Sequence, residues 1–309
     1  MTTKYNEIAM KCTTEQHFTG QIWRPPFEAN SVLLQATSGC SHNKCTFCSL
    51  YHGTKFRASP FAEIEHDLQI IQRSQPHARR VWLTGANPFC LSYEKLVELA
   101  LLIREYLPNV LNIGGFARIS DITPKTRAEW ADLRRLGYDR ISIGTESGDD
   151  LTLARMNKGY TARDIVEQCV KLQDAGIEYN ITYLNGLAGA GNGTRNAIET
   201  AKIYSQIRPF IISVVSLTVF PESQLYAEIQ RGEYAESSEL ERLQELKTLI
   251  ENLMLDTPFT LLANTVSNPI PLTGVIPQER GRLVRELETM IASAHEDELR
   301  KYREGIRSL

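Results

Sequence analysis

"SVLLQATSGCSHNKCTFC" (31–48) passes from an apolar, β-compatible run straight into a loop that holds three of the chain's six cysteines. The cysteines are spaced Cys40-x-x-x-x-Cys45-x-x-Cys48. A strand that ends in a chemistry-bearing loop says which end of the strand carries the site. What repeats on either side of it says which fold the strand belongs to.

What repeats is strand-like runs alternating with helix-like ones. "PFAEIEHDLQIIQRS" (60–74) has helical spacing through Ile64, Leu68 and Ile71. "RRVWLTGAN" (79–87) is a strand entering a turn. "SYEKLVELALLIREYL" (92–107) is a helix with Ser92 as cap and Pro108 as stop. "NVLNIGGFARI" (109–119) is the next strand. In "TPKTRAEWADLRRLG" (123–137), Thr123 is the expected N-cap, Pro124 the first helical residue and Gly137 the left-handed stop. "DRISIGTES" (139–147), "EYNITYLNGLAG" (178–189) and "FIISVVSLTVF" (210–220) are strands, separated by helices over 161–176 and 193–207. Six strand–helix repeats at this spacing imply parallel strands joined by outer helices, in an α/β sheet or a full or partial barrel. In either, the C-terminal ends of the strands carry the site.

After Gly232 the pattern changes. "SELERLQELKTLIENLML" (238–255) is an amphipathic helix, 257–277 is extended or loop because of its four prolines, and 278–309 is a charged helical tail. No apolar run reaches the roughly 20 residues of a membrane span, and the polar N-terminus lacks a signal peptide's apolar stretch. A cytoplasmic location is expected, where clustered cysteines bind metal or do chemistry more often than they pair. The formal charge of −3 gives no support for nucleic acid as a partner.

Three fates are open to the cysteine loop. A structural zinc site would need His42 as fourth ligand, but such sites usually join ligand pairs from separate segments. An electron-carrying cluster normally takes four cysteines, and Cys12, Cys90 and Cys169 share no spacing with the loop. The third fate is a [4Fe–4S] cluster on three thiolates, with one iron left for a small molecule.

The loop resembles the cluster loop of radical S-adenosylmethionine (radical SAM) enzymes, which usually reads C-x-x-x-C-x-x-C with an aromatic before the last cysteine. Phe47 fills that place, and the first spacing is longer by one residue. "RPPFEANSVLLQATSGCSHNKCTFC" (24–48), "LGYDRISIGTESGDDLTLARMNKGYT" (136–161) and "LTVFPESQLY" (217–226) resemble further blocks of the same family, in the branch of the elongator-type and oxygen-independent porphyrinogen-oxidase enzymes. The resemblance spans about residues 24–232. It implies a partial (β/α)6 TIM-like barrel over 31–232, flanked by a short N-terminal extension (1–30) and a mostly helical C-terminal extension (233–309).

The resemblance also implies roles. Cys40, Cys45 and Cys48 hold the [4Fe–4S] cluster and S-adenosylmethionine (SAM) chelates its open iron. Gly85 and Asn87 stand where the family usually has Gly-Gly-Glu-Pro against the SAM amino group; here Asn87 replaces the acid. Glu146 meets the ribose hydroxyls, Lys158 or Arg155 the SAM carboxylate, and Arg118 a substrate or cofactor carboxylate. Tyr183 and Asn185, with the glycines that follow, shape the adenine pocket, while Tyr51 and His52 tune the cluster. Cys90 lies near the cofactor pocket, Cys169 reads as core and Cys12 as incidental. The implied reaction is reductive cleavage of SAM to a 5′-deoxyadenosyl radical, with an external low-potential donor of flavodoxin or ferredoxin type. The radical takes hydrogen from a substrate, making the chain an oxidoreductase or transferase. No added domain of a methylthiotransferase or cobalamin type is seen, so a small organic substrate is expected. The alternative from another class is a non-catalytic iron–sulfur carrier or a zinc-stabilised interaction protein.

Overall fold

The computed structural model describes residues 15–307. Cys12 and the first part of the N-terminal extension lie outside them. The chain forms two compact units: Met1–Asn43, Leu50–Ser142 and Asp174–Glu178 make the first, and Lys44–Ser49, Ile143–Gln173 and Tyr179–Leu309 the second.

In the first unit, β1 (Val32–Gln35), β4 (Arg80–Thr84) and β5 (Asn112–Ala117) pair in parallel in that order, while β2 (Thr37–Ser38) and β3 (Arg57–Ala58) form a small antiparallel pair. β4 is buried over Val81–Thr84, as expected of a parallel strand covered on both faces. The helix Phe61–Ser74 turns Ile64, Leu68 and Ile71 inward, and Ser92 caps Tyr93–Tyr106 by accepting the Lys95 amide. Phe89 packs on Trp130 and Tyr138 with centroids 5.9 and 5.7 Å away, a buried aromatic cluster beneath the exit of β4.

One boundary differs from the expectation. Ile119–Ile122 forms a separate helical turn and the next helix is Arg127–Arg135, capped by Thr126 and not Thr123. Thr126 and Glu129 exchange reciprocal side-chain-to-backbone hydrogen bonds, and this capping box outweighs the proline signal at 124. Gly137 takes the left-handed conformation as expected, at φ 93°.

The chain leaves the first unit inside β6 (Tyr138–Glu146). In the second unit β7 (Glu178–Asn185), β8 (Ile211–Ser216) and β9 (Phe259–Ala263) pair in parallel, and β10 (Leu272–Ile276) closes antiparallel on β9. The 257–277 stretch, left above as extended or loop, thus supplies two paired strands. Its prolines do not interrupt them, because Pro258, Pro269, Pro271 and Pro277 all fall outside β9 and β10. Helices Asp150–Arg155, Ala162–Asp174, Gly193–Tyr204, Gln224–Gln230, Glu239–Asn252, Arg280–Ser293 and Glu296–Glu304 also belong to it. The Gly-ended Ala162–Asp174 helix buries Cys169 fully, as its apolar-face position required. No helix among the described residues is long and apolar enough to cross a membrane.

Candidate functional site

In the first unit, parallel pairing puts the ends of β1, β4 and β5 on one edge, so the residues after them meet. Gly85 has φ 108°, and a Cβ there would lie 2.1 Å from Thr37 Oγ1. Only glycine allows this approach of the β4 exit to the segment before Cys40. The Ala86 amide donates to the Gly39 carbonyl at 3.4 Å. Asn87 is fully buried. Its Oδ1 accepts from the Ser41 amide (3.1 Å), and its Nδ2 donates to Ser41 Oγ (2.6 Å) and to both oxygens of Asp121 (3.1 Å each). The side chain expected to meet the SAM amino group is therefore held by protein partners. Arg118, 9% exposed, donates from Nη1 to Ser120 Oγ at 2.9 Å. Cys40 is half-buried, and its sulfur accepts from the Asn43 amide at 3.4 Å. Burial, reinforced by the Asp121 charge, pushes the Cys90 thiol up to about 12, so it is a protonated thiol and not a ready nucleophile.

In the second unit, the loop segment carrying Cys45 and Cys48 is docked through its backbone. The Thr46 amide donates to the Met156 carbonyl (3.1 Å), and the Leu225 amide to the Thr46 carbonyl (2.8 Å). Asn157 Nδ2 donates to the Lys44 carbonyl (3.0 Å). Phe47 packs on an apolar cluster that includes Met156, Leu217 and Leu225. The Lys158 ammonium lies 5.7 Å from its ring centroid and 3.2 Å from Glu146 Oε1. Phe47, Glu146 and Lys158, distant in sequence, are thus brought together. Arg155 instead pairs with Glu228 and lies 5.7 Å over the Tyr234 ring, both residues lining a cavity of about 320 Å³ beside the Gly-rich loop. Of the two cations considered for a carboxylate, Lys158 is the one beside Glu146.

Backbone strain marks the same places. Among the described residues, Asn43, Glu146 and Asn157 are the non-glycine residues with positive φ, at 44°, 64° and 52°. Asparagine tolerates this region, but glutamate there is uncommon, and such outliers concentrate at functional sites.

Tyr183, expected beside an adenine pocket, is held by side chains of two helices. Its side chain is fully buried, donates its hydroxyl to Glu245 on helix Glu239–Asn252 and accepts from Asn196 Nδ2 at 2.9 Å. Asn185, two residues on, donates to the Arg242 carbonyl at 3.0 Å. Strand alternation puts both on one face of β7, and each hydrogen-bonds to a residue of helix Glu239–Asn252. Glu245 also accepts from the Gly186 amide (3.0 Å) and Asn196 Nδ2 (2.8 Å).

Burial pushes the Glu245 carboxyl up to about 6, against the pull of those donors. The folded value lies above the ordinary 4.5, so the native state holds a proton that the unfolded chain releases between those pH values. That contribution is complete below the unfolded value and is lost as pH rises through about 6. Lowering the pH from 7 to 4.5 is therefore expected to stabilise the wild type by about 2 kcal/mol relative to Glu245→Gln. Urea denaturation of both proteins across that range checks it; a flat difference rejects it.

Cys40, Cys45 and Cys48 are all half-buried and outside any disulfide, whereas Cys169 is sealed in the core. Three thiols on one loop are one short of the four cysteines an ordinary iron–sulfur cluster takes, and would leave one iron without a protein thiolate. Among the described residues no three His, Cys, Asp or Glu side chains are drawn together for a single metal ion. A cluster asks for a different arrangement, one thiolate per iron.

The sequence model of the Radical SAM superfamily matches residues 34–190, from inside β1 to the loop after β7. The chain is 27% identical over 234 residues to the tRNA-2-methylthio-N(6)-dimethylallyladenosine synthase of Syntrophus aciditrophicus (strain SB), covering 73% of this chain and 49% of that protein. The chain spans about half the length of the curated relatives it matches. The radical SAM methyltransferase TsrM from Kitasatospora setae, solved with tryptophan and a SAM analogue, aligns with a TM-score of 0.53 and 15% identity, covering 66% of this chain and 39% of that one. Methylornithine synthase (PylB) aligns over 96% of this chain and 90% of that one, with a TM-score of 0.50 and 17% identity. At these identities the structures speak for the fold, an α/β architecture with a mostly parallel sheet. The chain belongs to the Radical SAM superfamily, enzymes whose cofactors are a [4Fe–4S] cluster and S-adenosylmethionine.

Proposed function

We propose that Cys40, Cys45 and Cys48 each give one thiolate to a [4Fe–4S] cluster, leaving one iron to SAM. When bound and reduced by a flavodoxin- or ferredoxin-type donor, the pair supplies a 5′-deoxyadenosyl radical that abstracts hydrogen from a substrate. The observation that carries this reading is the loop itself: three half-exposed thiols at the exit of β1, in a chain whose remaining described thiols are Cys90 and Cys169.

The protein's own groups bind and orient. Phe47 packs on the Met156–Leu217–Leu225 cluster and keeps water from one side of the loop. Lys158, 4% exposed, holds the SAM carboxylate, and Glu146 accepts from the ribose hydroxyls; their mutual ion pair keeps both in place beforehand. With Asn87 engaged, the backbone carbonyls of the 85–87 turn remain for the SAM amino group. Arg118 serves a carboxylate of cofactor or substrate.

The substrate is a small organic molecule. A net charge of −3 offers no general attraction for a polyanion. The tRNA named in the relatives' activity is the second reading. Anaerobic reconstitution with iron and sulfide, then dithionite and SAM, is the test. A brown protein that releases 5′-deoxyadenosine is expected. A colourless, zinc-loaded protein means the interaction-domain alternative, and a brown protein inert toward SAM means a carrier. Label from SAM or a mass change found in the RNA fraction of a treated extract, and not among small molecules, selects the second reading.

A further inference from the structure

We infer that Asp121 is a positioning residue for the Cys40 end of the loop, acting through Asn87. The inference rests on Cys40 being a cluster ligand. Asp121 is 5% exposed and Asn87 not at all. Both Asp121 oxygens accept from Asn87 Nδ2, at 3.1 Å each, and Oδ2 accepts from the Arg118 amide at 2.7 Å. Asn87 in turn holds Ser41 twice, by its backbone amide and by its hydroxyl. Ser41 is the residue next to Cys40.

The chemistry of an amide explains why the carboxylate is needed. An asparagine side chain has a donor end and an acceptor end of nearly equal shape, and its neighbours decide which way it points. An ionised carboxylate only accepts. Asp121 therefore draws the Asn87 NH2 toward itself and leaves Oδ1 to face the Ser41 amide. That orientation fixes the direction of the backbone leaving Cys40. A buried carboxyl is costly unless its oxygens are occupied, and here three hydrogen bonds occupy them.

The arrangement is braced on its far side. Lys125, 4% exposed, donates from Nζ to the Phe89 carbonyl (2.8 Å) and to the Asp121 carbonyl (3.2 Å). Segment 119–125 thus grips the 87–89 turn at both ends. That turn lies on 37–41 through the Ala86–Gly39 hydrogen bond and the Gly85–Thr37 approach.

The test compares wild type, Asp121→Ala, Asp121→Asn and the exchange Asn87→Asp/Asp121→Asn. In the exchange, the carboxylate now at position 87 would accept from the Ser41 amide and hydroxyl, and the new amide at 121 would donate to it while still accepting from the Arg118 amide. Anaerobic apoprotein is alkylated with iodoacetamide, and the rate at Cys40 is read by peptide mass spectrometry, with buried Cys169 as the internal control for unfolding. Losing the brace is expected to raise the Cys40 rate about tenfold in both single variants, and the exchange to return it to near wild type. On reconstituted protein, the cluster's midpoint potential should move in Asp121→Asn and return in the exchange. Wild-type Cys40 rates in both single variants overturn the inference. Should Cys169 also speed up in Asp121→Ala, the near-isosteric pair decides: equal Cys40 rates in Asp121→Asn and the exchange overturn it. Wild type that takes up no iron rejects the cluster reading and leaves the alkylation comparison intact, so the two failures are told apart.

Discussion

Cys45→Ala is expected to yield a folded protein that retains no [4Fe–4S] cluster and cleaves SAM at background rate. Three thiolates on four irons leave one iron open; with two, a second iron loses its protein ligand, so losing one thiolate removes the site and does not weaken it by degrees. The fold should be indifferent. Cys45 is half-buried and lies outside the apolar core. The loop segment is held by the Thr46 amide on Met156, the Leu225 amide on Thr46, the Cys48 amide on Cys45 and Asn157 on Lys44, and every loop-side partner in these bonds is a backbone atom that alanine keeps. Iron and sulfide content, the reduced-state paramagnetic signal and 5′-deoxyadenosine release are the readouts, with circular dichroism and the melting temperature as controls. Cys169→Ala is the counter-case. It should keep its cluster and lose roughly 1 kcal/mol of stability, because that thiol is sealed under the Ala162–Asp174 helix. Full cleavage activity in Cys45→Ala rejects the ligand assignment.

The fold was legible where local signals were strong. The helix starts at Ser92 and Ser238, and the glycine stops at 137 and 176, stand where the residue types put them, because caps and left-handed stops are written in single side chains. The wrong cap at Thr123 was a contest between two nearby threonines. Glu129 decided it, three residues after Thr126. β9 and β10 were not legible, since prolines at the margins of a strand read the same as prolines within a loop until pairing partners are known.

The site divides the same way. The cysteine loop could be singled out from its spacing, while Phe47, Gly85, Glu146 and Lys158 were singled out by the family resemblance. Which face of β7 Tyr183 takes was not legible, because whether a residue faces in or out of a strand turns on one position of register. Asp121, Ser41, Met156 and Asn157 carried no signal. Each acts through a hydrogen bond to a residue 34 or more positions away in sequence. One clue was available in principle. Asn87 stands where an acid is usual, and a substituted polar residue at a buried turn must find its partner elsewhere.

The other large effect is expected at Glu239, where the C-terminal helices meet the ends of β7 and β8. Arg242 and Arg303 are both buried, and both donate to the Leu217 carbonyl just past β8, at 2.8 and 3.0 Å. Arg242 also reaches the Asn185 carbonyl that ends β7. Two guanidinium groups on one carbonyl repel. Burial, and then the charge of Arg303, push Arg242 down to about 10. Glu239 lies between them, paired through both oxygens with Arg303 and 3.9 Å from Arg242 Nε. Removing the shared anion leaves two buried cations facing each other, while removing Arg303 leaves Glu239 still beside Arg242 and relieves the repulsion. Breaking a buried pair from one side costs about 3–5 kcal/mol. Glu239→Ala should stand at or above the top of that range, and Arg303→Ala at its lower end. Replacing Glu239 and Arg303 together by leucine and methionine should cost less than Glu239→Ala alone, since the repulsion from Arg303 goes with its charge and Arg242 keeps Glu236 at 3.4 Å. Urea denaturation of the three variants measures the order. If Arg303→Ala proves the costlier single change, Glu239 is not the common counter-charge, and the two arginines are held by the strand-end carbonyls instead.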